Sequence, residues 1–423
     1  MFIERSGARI RRTRTTFLVA GMLPLVALVG WAVWQRSAGH REAVRGRWQQ
    51  ALGLNLAIDR LEHPRPGVTR ACGVTVVAAG GGRVAEIPVV EVESGAGEDR
   101  VRLDAVRLDA ATVRVIGELG REWLSRDARH PRNCVIDVAD LSWPGREAAG
   151  RVRIECVAHA GTRAVRASRV DRDQDLVRVV RHLGSAAEDG GDAGAERLDV
   201  EAAFDEPLPI DVAMALVGGG TAVFGTAATV HGRCVANCDE RGWAGSASGR
   251  IERVDLARCV APLAAAAAGD VTIDVERLAW ADGRLVEGLA TCRIGAGWID
   301  AAFFDRLALA LGCRPAVAAD PGANRRFDTV GCRLEVVGGQ VAVAALPGSP
   351  LGLALVDGTT LLQPPAAPVP FERLAWVLSP PTADFVPAGG AGAWLMSIRP
   401  GAAAPRDALL PGTGSAVRDR GGF

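Results

Sequence analysis

Residues 136–156 read IDVADLSWPGREAAGRVRIEC and residues 273–292 read IDVERLAWADGRLVEGLATC, so one pattern occurs twice in the chain. Both copies have the form I-D-V-x-x-L-x-W, then a turn containing Gly-Arg, three residues, a Gly and a strand that ends in Cys. Apolar alternation leads to Pro144-Gly145 in the first copy and to Asp282-Gly283 in the second, and both dipeptides favour turns. Each copy is therefore predicted to be a β-hairpin.

The apolar positions change parity at the same place in both copies. In the first copy the change falls between Val138 and Leu141, and the second copy repeats it at the equivalent position. A one-residue slip moves side chains to the opposite face of a sheet. The pattern therefore predicts a β-bulge near Ala139-Asp140 and another near Glu276-Arg277.

A third, looser copy of the hairpin is predicted from Ile58-Asp59 to Cys72, and helices are predicted to be few. Apolar residues at helical spacing predict a helix over 176–183 and, less regularly, one over 254–268. Asp300 can cap a further helix, which Gly312 can end. The buried face of that helix is predicted to consist of Phe303, Phe304, Leu307 and Leu311.

The composition is that of a globular protein without a strong overall charge. The 423 residues are 48% hydrophobic and 23% charged, with 49 basic and 49 acidic residues. This balance provides no overall field that would attract a polyanion, so no nucleic-acid partner is predicted.

Residues 17–34 read FLVAGMLPLVALVGWAVW, 18 residues without a charge or an amide. As a helix they would span about 27 Å, close to the hydrocarbon thickness of a bilayer. Trp31 and Trp34 lie where membrane-interface aromatic residues are expected, and Pro24 is tolerated within a spanning helix. The segment is predicted to be an uncleaved transmembrane helix; the alternatives are a cleaved signal peptide and a buried soluble helix.

The charges that flank this segment predict an inside N-terminus. Five arginines and one acid precede it: Arg5, Arg9, Arg11, Arg12, Arg14 and Glu4. The predicted organisation is a cytoplasmic tail (1–16), a transmembrane helix (17–34), a connector (35–50), an extracytoplasmic β-rich domain (51–377) and a largely disordered Pro/Gly/Ala-rich tail (378–423). Residues 184–197 are predicted to form a flexible acidic loop. The expected location is the inner (cytoplasmic) membrane, with the main domain in the periplasm.

Cys134 and Cys156 lie at equal distances from the predicted turn at Gly145, so a hairpin would place them opposite each other. At a non-hydrogen-bonded position their Cα atoms would be about 4.5 Å apart, within disulfide range. A disulfide is predicted, with buried thiols as the alternative. The second copy lacks this partner, because the position opposite Cys292 falls near Ile273.

No catalytic, cofactor or metal site is predicted, and the protein is expected not to be an enzyme. His231, Cys234 and Cys238 form one loose cluster, whereas structural zinc usually needs four ligands. If this segment is a strand, the two cysteines lie about 13 Å apart and can neither share a metal ion nor form a disulfide. Asp137 and Asp274 recur in the two hairpins and are expected to be structural.

Several segments resemble the AsmA-like envelope proteins, a group that includes the TamB relatives. They are LGLNLAIDRLEHPRPGVTRACGVTVV (52–77), GRIERVDLARCV (249–260), GLATCRIGAGWIDAAFFDRLALALG (288–312) and FDTVGCRLEVVGGQVAV (327–343). The resemblance implies an inner-membrane anchor followed by a repeating β-groove whose apolar inner surface holds acyl chains. It implies a role in lipid transport or envelope biogenesis, with phospholipid as the ligand.

The expected fold is mainly β with a few short helices: an N-terminal transmembrane helix followed by an elongated, curved antiparallel sheet of repeated hairpins. The alternative function is a structural or secretion-linked scaffold that binds envelope proteins through the edges of its sheet. The two functions differ at the inner face of the sheet. Lipid handling needs a continuous apolar groove, whereas a scaffold should have a closed, packed core.

Overall fold

The computed structural model divides the chain into two compact units, residues 1–159 with 164–174 and residues 160–163 with 175–423. The residues it describes are 7–52, 55–77, 83–95, 97–125, 133–145, 150–159, 161–171, 174–183, 196–216, 224–263, 265–316, 324–346, 352–378, 393 and 395–400.

The first unit contains an N-terminal helical segment and a β-sheet. Its helices are α1 (Gly7–Phe17), α2 (Leu23–Gln35), α3 (Ala38–Leu52) and α4 (Ala110–Ser125), with a π-helical turn over Leu18–Met22. Its strands are β1 (Asn55–Arg65), β2 (Val68–Val77), β3 (Arg83–Ser94), β4 (Glu98–Arg107), β5 (Asn133–Ser142), β6 (Val152–His159) and most of β7 (Thr162–Arg169). The predicted connector 35–50 is therefore largely helical, as α3.

Strands β1 to β6 pair in chain order and are antiparallel except for β4 and β5, which are parallel. The parallel pair departs from the predicted antiparallel pattern because α4 connects the two strands as a crossover.

The second unit contains a longer sheet and a helical core. Its strands are β8 (Gln174–His182), β9 (Arg197–Pro209), β10 (Thr229–Asp239), β11 (Gly242–Asp255), β12 (Ala267–Ala268), β13 (Asp270–Ala281), β14 (Arg284–Ile294), β15 (Gly297–Ile299), β16 (Arg314–Pro315), β17 (Arg325–Phe327), β18 (Thr329–Val337), β19 (Gln340–Ala345), β20 (Ala354–Val356), β21 (Thr359–Gln363) and β22 (Val369–Pro370). Its helices are α5 (Ile210–Leu216), α6 (Leu256–Val260), α7 (Ala301–Leu311) and α8 (Arg373–Val377), with a 3₁₀ turn over Ala261–Leu263.

Eight strands of this unit form a continuous antiparallel run in the order β8, β9, β10, β11, β13, β14, β18, β19. Strands β12, β15 and β17 form a separate three-stranded sheet. The predicted fold class is confirmed: the protein is mainly β, with a long sheet of many antiparallel strands and an apolar N-terminal helix.

Both hairpin repeats are confirmed, and both contain the predicted bulge. In the second copy Val275 pairs with Ala290 and Arg277 pairs with Leu289, so Glu276 is the extra residue. The first copy shows the same offset in its partners: Val138 pairs with Val152, but Leu141 N–H donates to the carbonyl of Gly150. The third hairpin also forms, as β1 and β2, with Arg60 opposite Cys72.

The turn of the second copy has the backbone that its sequence predicts. Asp282 and Gly283 have φ angles of 52° and 70°, both in the left-handed region. Positive φ at both central residues is the requirement of a two-residue type I′ hairpin turn.

The predicted helix that starts at Asp300 is confirmed as α7. Asp300 Oδ1 accepts a hydrogen bond from Phe303 N–H at 2.9 Å, and Gly312 ends the helix with a φ of 69°. Phe303 and Phe304 are buried in the core of the second unit. Among the described residues of the weaker prediction of 254–268, only α6 and the short 3₁₀ turn are helical.

The helix predicted over 176–183 is wrong, because this segment is strand β8. Val177 and Val179 pair with Ala202 and Val200 of β9. Apolar residues in this segment satisfy both helical and strand spacing, and its β-branched valines favour the strand once β9 is available as a partner.

Much of two predicted flexible segments lies outside the described residues: 184–195 of the acidic loop, and 379–392, 394 and 401–423 of the tail. Within the tail, Leu395 is buried in the core, and the carbonyl of Ile398 accepts a hydrogen bond from Leu285 N–H at 3.0 Å. Leu395 and Ile398 are therefore ordered against the second unit, and the prediction of a largely disordered tail stays a prediction.

The sheet of the first unit has an apolar side and a charged side. One row of direct cross-strand partners is apolar: Leu61, Ala71, Val90, Leu103, Val138 and Val152. The adjacent row, on the other side, alternates in charge: Glu62, Arg70, Glu91, Arg102, Asp137 and Arg153. Because a one-residue slip of any strand would place these charges on the apolar side, the two rows together favour one register.

Candidate functional site: the N-terminal helical segment and an apolar sheet face

The N-terminal helical segment is long and apolar enough to span a membrane. It runs over Arg11–Gln35, 25 residues, and none of its apolar window is buried in the protein. Trp31 and Trp34, the predicted interface anchors, are 55% and 52% exposed.

A π-helical turn precedes the proline of this segment. Leu23 N–H donates to the carbonyl of Leu18, five residues earlier. Pro24 lacks an N–H, and in a regular helix its ring would clash with the carbonyl of Ala20. The wider π-turn lies where that clash would occur, which is how an unbroken helical segment accommodates the proline.

A histidine pair lies just after the apolar helical segment, where α3 meets β1. His40 Nε2 and His63 Nε2 are 2.9 Å apart, and the His40 ring packs against Trp34 with centroids 4.3 Å apart. His40 is only 5% exposed. Burial lowers the pKa of His40, and the charges of His63 and Arg47 lower that pKa further. This contact was not predicted, because the two histidines are 23 positions apart and have no shared motif.

The second unit presents an apolar sheet face built from direct cross-strand partners. The central row is Val177, Ala202, Cys234, Ala247, Leu278, Gly288, Val336 and Val341, one residue from each of eight strands. A row on one side is Val179, Val200, Ala236, Gly245, Trp280 and Leu285. A row on the other side is Phe204, Gly232, Gly249, Val275, Ala290, Leu334 and Val343. We refer to these three rows as the apolar face.

The core of the unit covers one border of the apolar face. Val341 and Val343 belong to the core, and Leu334 packs against it. Across β9 to β13 the side chains of Ala202 and Leu278 are only half-buried, and within the described part of the chain they do not join that core. The face is therefore partly open to solvent over these strands.

Small residues keep the open part of the face shallow. A Cβ at Gly245 would lie 2.7 Å from Cζ2 of Trp280, so the indole ring of Trp280 lies directly over the backbone of β11. Ala247 and Ala202 occupy the neighbouring row. The result is a shallow apolar strip of small residues beside the Trp280 ring.

The reverse side of the same strands is more polar, with five polar and three apolar residues in the row behind the central row. The row behind the central row reads Arg178, Glu201, Val235, Ser246, Ala279, Glu287, Val337 and Gln340. Asp274, one of the two repeated aspartates, accepts from Arg293 at 2.7 Å and lies 3.2 Å from Arg250. Its counterpart Asp137 accepts from Arg153 at 2.8 Å. Both aspartates therefore bind arginines on neighbouring strands, as structural residues would.

The predicted pair Cys134 and Cys156 are direct partners on β5 and β6. Asn133 N–H donates to the carbonyl of Gly97 on the other side of β5, and successive residues alternate in direction. The two cysteines therefore occupy a hydrogen-bonded position, not the non-hydrogen-bonded one that was predicted. The Cα separation at such a position is about 5.5 Å, which also lies within disulfide range.

Both members of that pair are free thiols in the structure, so their disulfide stays a prediction. Burial raises the pKa of Cys134 to about 11 and that of Cys156 to about 12. Buried thiols with such pKa values are poor nucleophiles at neutral pH, which argues against a catalytic role for this pair.

The cluster His231, Cys234 and Cys238 lies on strand β10. The two cysteines are four residues apart on one side of an extended strand, about 13 Å, and His231 is on the other side. These three side chains therefore cannot hold one metal ion together. In the part of the chain that the structure describes, no three His, Cys, Asp or Glu side chains are grouped to bind a metal.

No protein-family model, curated protein or solved structure matches this chain. The resemblance to the AsmA-like proteins therefore depends on the quoted segments alone. Three of those segments, 249–260, 288–312 and 327–343, include parts of the strands of the apolar face.

A second opposed cysteine pair was missed by the sequence analysis. Cys292, the last residue of the second repeat, lies between Ile273 on β13, as predicted, and Cys332 on β18. Forty positions and helix α7 separate the two cysteines in the chain, so no local pattern indicates that they meet.

Proposed function

We propose that this protein is a membrane-anchored, non-catalytic envelope protein that holds the acyl chains of phospholipid on its apolar face. The N-terminus would lie in the cytoplasm and the β-rich units in the periplasm. The observation that carries the proposal is the apolar face itself: three adjacent rows of apolar or small residues, partly open, with a mostly polar row behind them.

An open apolar face of this kind is unfavourable in water unless something covers it. Each methylene group that an acyl chain buries contributes about 0.8 kcal/mol. Covering roughly six methylenes would therefore contribute about 5 kcal/mol, enough for useful retention without any polar contact. The shallow surface beside Trp280 suits a flexible chain better than a folded partner with protruding side chains.

A pair of glycines supports the groove that the proposal requires. Gly232 and Gly249 are direct partners on β10 and β11, with φ angles of 146° and 154°. A Cβ on either residue would come within 2.3 Å of a backbone oxygen on the other strand. Glycine kinks on neighbouring strands are a means by which sheets acquire curvature. A sheet curved at this pair would form a trough from the apolar face.

The anchor supports the same proposal. A helix that stays in the inner membrane would keep the apolar face near a supply of phospholipid, and the basic N-terminal flank favours the inside orientation of the tail. The resemblance to the AsmA-like proteins, which implies the same arrangement, adds to this support.

Site-specific photocrosslinking in membranes tests the proposal. Benzoylphenylalanine at Ala247 would lie on the apolar face, and at the adjacent Ser246 it would lie on the polar side of the same strand. In cells with radiolabelled phospholipid, irradiation should give lipid adducts from position 247 and few from position 246.

Two results would contradict the proposal. Equal lipid labelling from both positions would show that the adducts reflect mere proximity to the bilayer. Adducts of position 247 with another protein, without lipid, would instead support the scaffold function.

A further inference from the structure

Cys292 and Cys332 face each other across two neighbouring strands of the second unit. They are direct register partners on β14 and β18. Gly331 N–H donates to the carbonyl of Leu353 at 2.7 Å, away from β14, so the backbone groups of Cys332 point toward β14. A hydrogen-bonded pair of this kind has a Cα separation of about 5.5 Å, which is near the commonest value for disulfides.

The two side chains are in contact. The two thiols are close enough to interact, and their interaction lowers the pKa of Cys332 and raises the pKa of Cys292. Both side chains also pack against the core of the unit.

The pairing of β14 with β18 distinguishes Cys292 and Cys332 from the other cysteines of the unit. Cys292 is close enough to Cys259 to raise the pKa of Cys259, and Cys313 is close enough to Cys332 to raise the pKa of Cys332. Neither is a strand partner of either residue: Cys259 belongs to α6, and Cys313 follows α7. Among the described strand pairings, only this pair and the predicted pair in the first unit place two cysteines opposite each other.

We propose that Cys292 and Cys332 form a disulfide that covalently links β14 to β18. This disulfide depends on the periplasmic placement proposed above, because an oxidising compartment is where such bonds persist. The segment that it would close, 293–331, contains α7 and therefore the buried Phe303 and Phe304. This disulfide would hold β14 and β18, which lie at the covered border of the apolar face, in place against the core.

The chemistry requires a small-molecule or protein disulfide as the oxidant. The Cys332 thiolate attacks one sulfur of the oxidant and releases its other sulfur as a thiolate, leaving a mixed disulfide on Cys332. The Cys292 thiolate then attacks the sulfur of Cys332 and releases the second oxidant thiolate. The two protons of the cysteines pass to the two released thiolates, and the oxidant gains two electrons.

Peptide mapping of the full chain tests the disulfide. The purified protein in detergent is incubated with oxidised glutathione, unfolded, alkylated and digested with trypsin, which yields LVEGLATCR (285–293) and FDTVGCR (327–333). We expect these peptides to be joined, two hydrogens lighter than their sum, and to separate on reduction. The Cys259→Ser variant should retain the linked species, whereas Cys332→Ser should lose it and leave Cys292 alkylated.

The disulfide is overturned if both peptides are fully alkylated without reduction, or if Cys292 links mainly to Cys259 or Cys313. Two further measurements distinguish failure of the disulfide from failure of the proposed topology. One is the activity of a C-terminal alkaline-phosphatase fusion, and the other is the same peptide mapping on protein taken directly from cells. An active fusion with a linked pair supports both proposals. An active fusion with free thiols refutes the disulfide alone, and an inactive, stable fusion with free thiols refutes the topology and the disulfide in cells.

Discussion

If residues 17–34 hold the protein in the bilayer, as proposed, charges placed in the middle of this segment should release the protein from the membrane. This segment contains nine Phe, Leu and Val residues, each of which favours insertion by about 0.3–0.6 kcal/mol, giving roughly 3–5 kcal/mol in total. Arginine at the centre of a spanning helix costs about 2.5–3.5 kcal/mol and also removes the contribution of the residue that it replaces. Val26→Arg alone should therefore offset most of the insertion energy.

The energetic cost of the double variant Val26→Arg/Val29→Arg should exceed the insertion energy of the segment. Two central arginines cost roughly 6–8 kcal/mol on the same scale, which leaves insertion unfavourable by a few kcal/mol. Val26 and Val29 are 62% and 57% exposed and pack against no core among the described residues. The substitutions should therefore leave the folded β-units intact. Val26→Leu/Val29→Leu is the matched control, because it changes size without introducing charge.

Alkaline carbonate extraction and flotation of the full chain measure the effect. The control should stay in the membrane fraction like the original protein, the single arginine variant should divide between the two fractions, and the double variant should be extracted. If the double variant stays in the membrane fraction to the same extent as the control, residues 17–34 do not hold the protein in the bilayer.

Two further predictions concern stability, measured by urea unfolding of the full chain in detergent with tryptophan fluorescence. Asp300→Ala removes the cap of α7 and should lower the free energy of unfolding by about 1 kcal/mol, whereas Asp300→Asn should retain most of it; equal losses would exclude the cap. The pKa of His40 is lower in the folded protein than its ordinary value of 6.5, so the unfolded chain binds more protons as pH falls below about 6.5. Stability should therefore fall from pH 6.5 downward until the folded pKa is reached, by about 1.4 kcal/mol for each pKa unit between the two states. His40→Asn should lack this part of the pH dependence, and identical pH profiles of the two proteins would contradict the reasoning.

The hairpins could be predicted from the sequence because their signals are local. Asp282-Gly283 specifies a tight turn, and residues 273–276 of the strand before it alternate between apolar and polar. The bulge at Glu276 could be predicted for the same reason, since a parity change within one strand is visible without knowledge of its neighbours. The cap at Asp300 and the stop at Gly312 are likewise signals carried by single residues.

What the sequence did not reveal depends on contacts between distant segments. The β8 segment was assigned to a helix because its apolar residues fit both spacings, and only pairing with β9 decides between them. Cys332 could not be matched with Cys292, because that match requires the register of two strands separated by α7. The apolar face depends on the registers of seven successive strand pairs. The pattern within one strand does not specify its register with a neighbouring strand.

The bulge in the second repeat connects the local sequence to the proposed site. Val275 lies on the apolar face before the bulge, and Leu278 and Trp280 lie on the same face after it, although their positions differ in parity from that of Val275. Without the extra residue at Glu276, Leu278 and Trp280 would point to the polar side, and the two rows would be interrupted at β13. The parity change in the sequence is therefore the feature that keeps the apolar face continuous across β13. The first repeat has the same slip, which places Leu141 on the side of Val138 in the first unit and buries both residues.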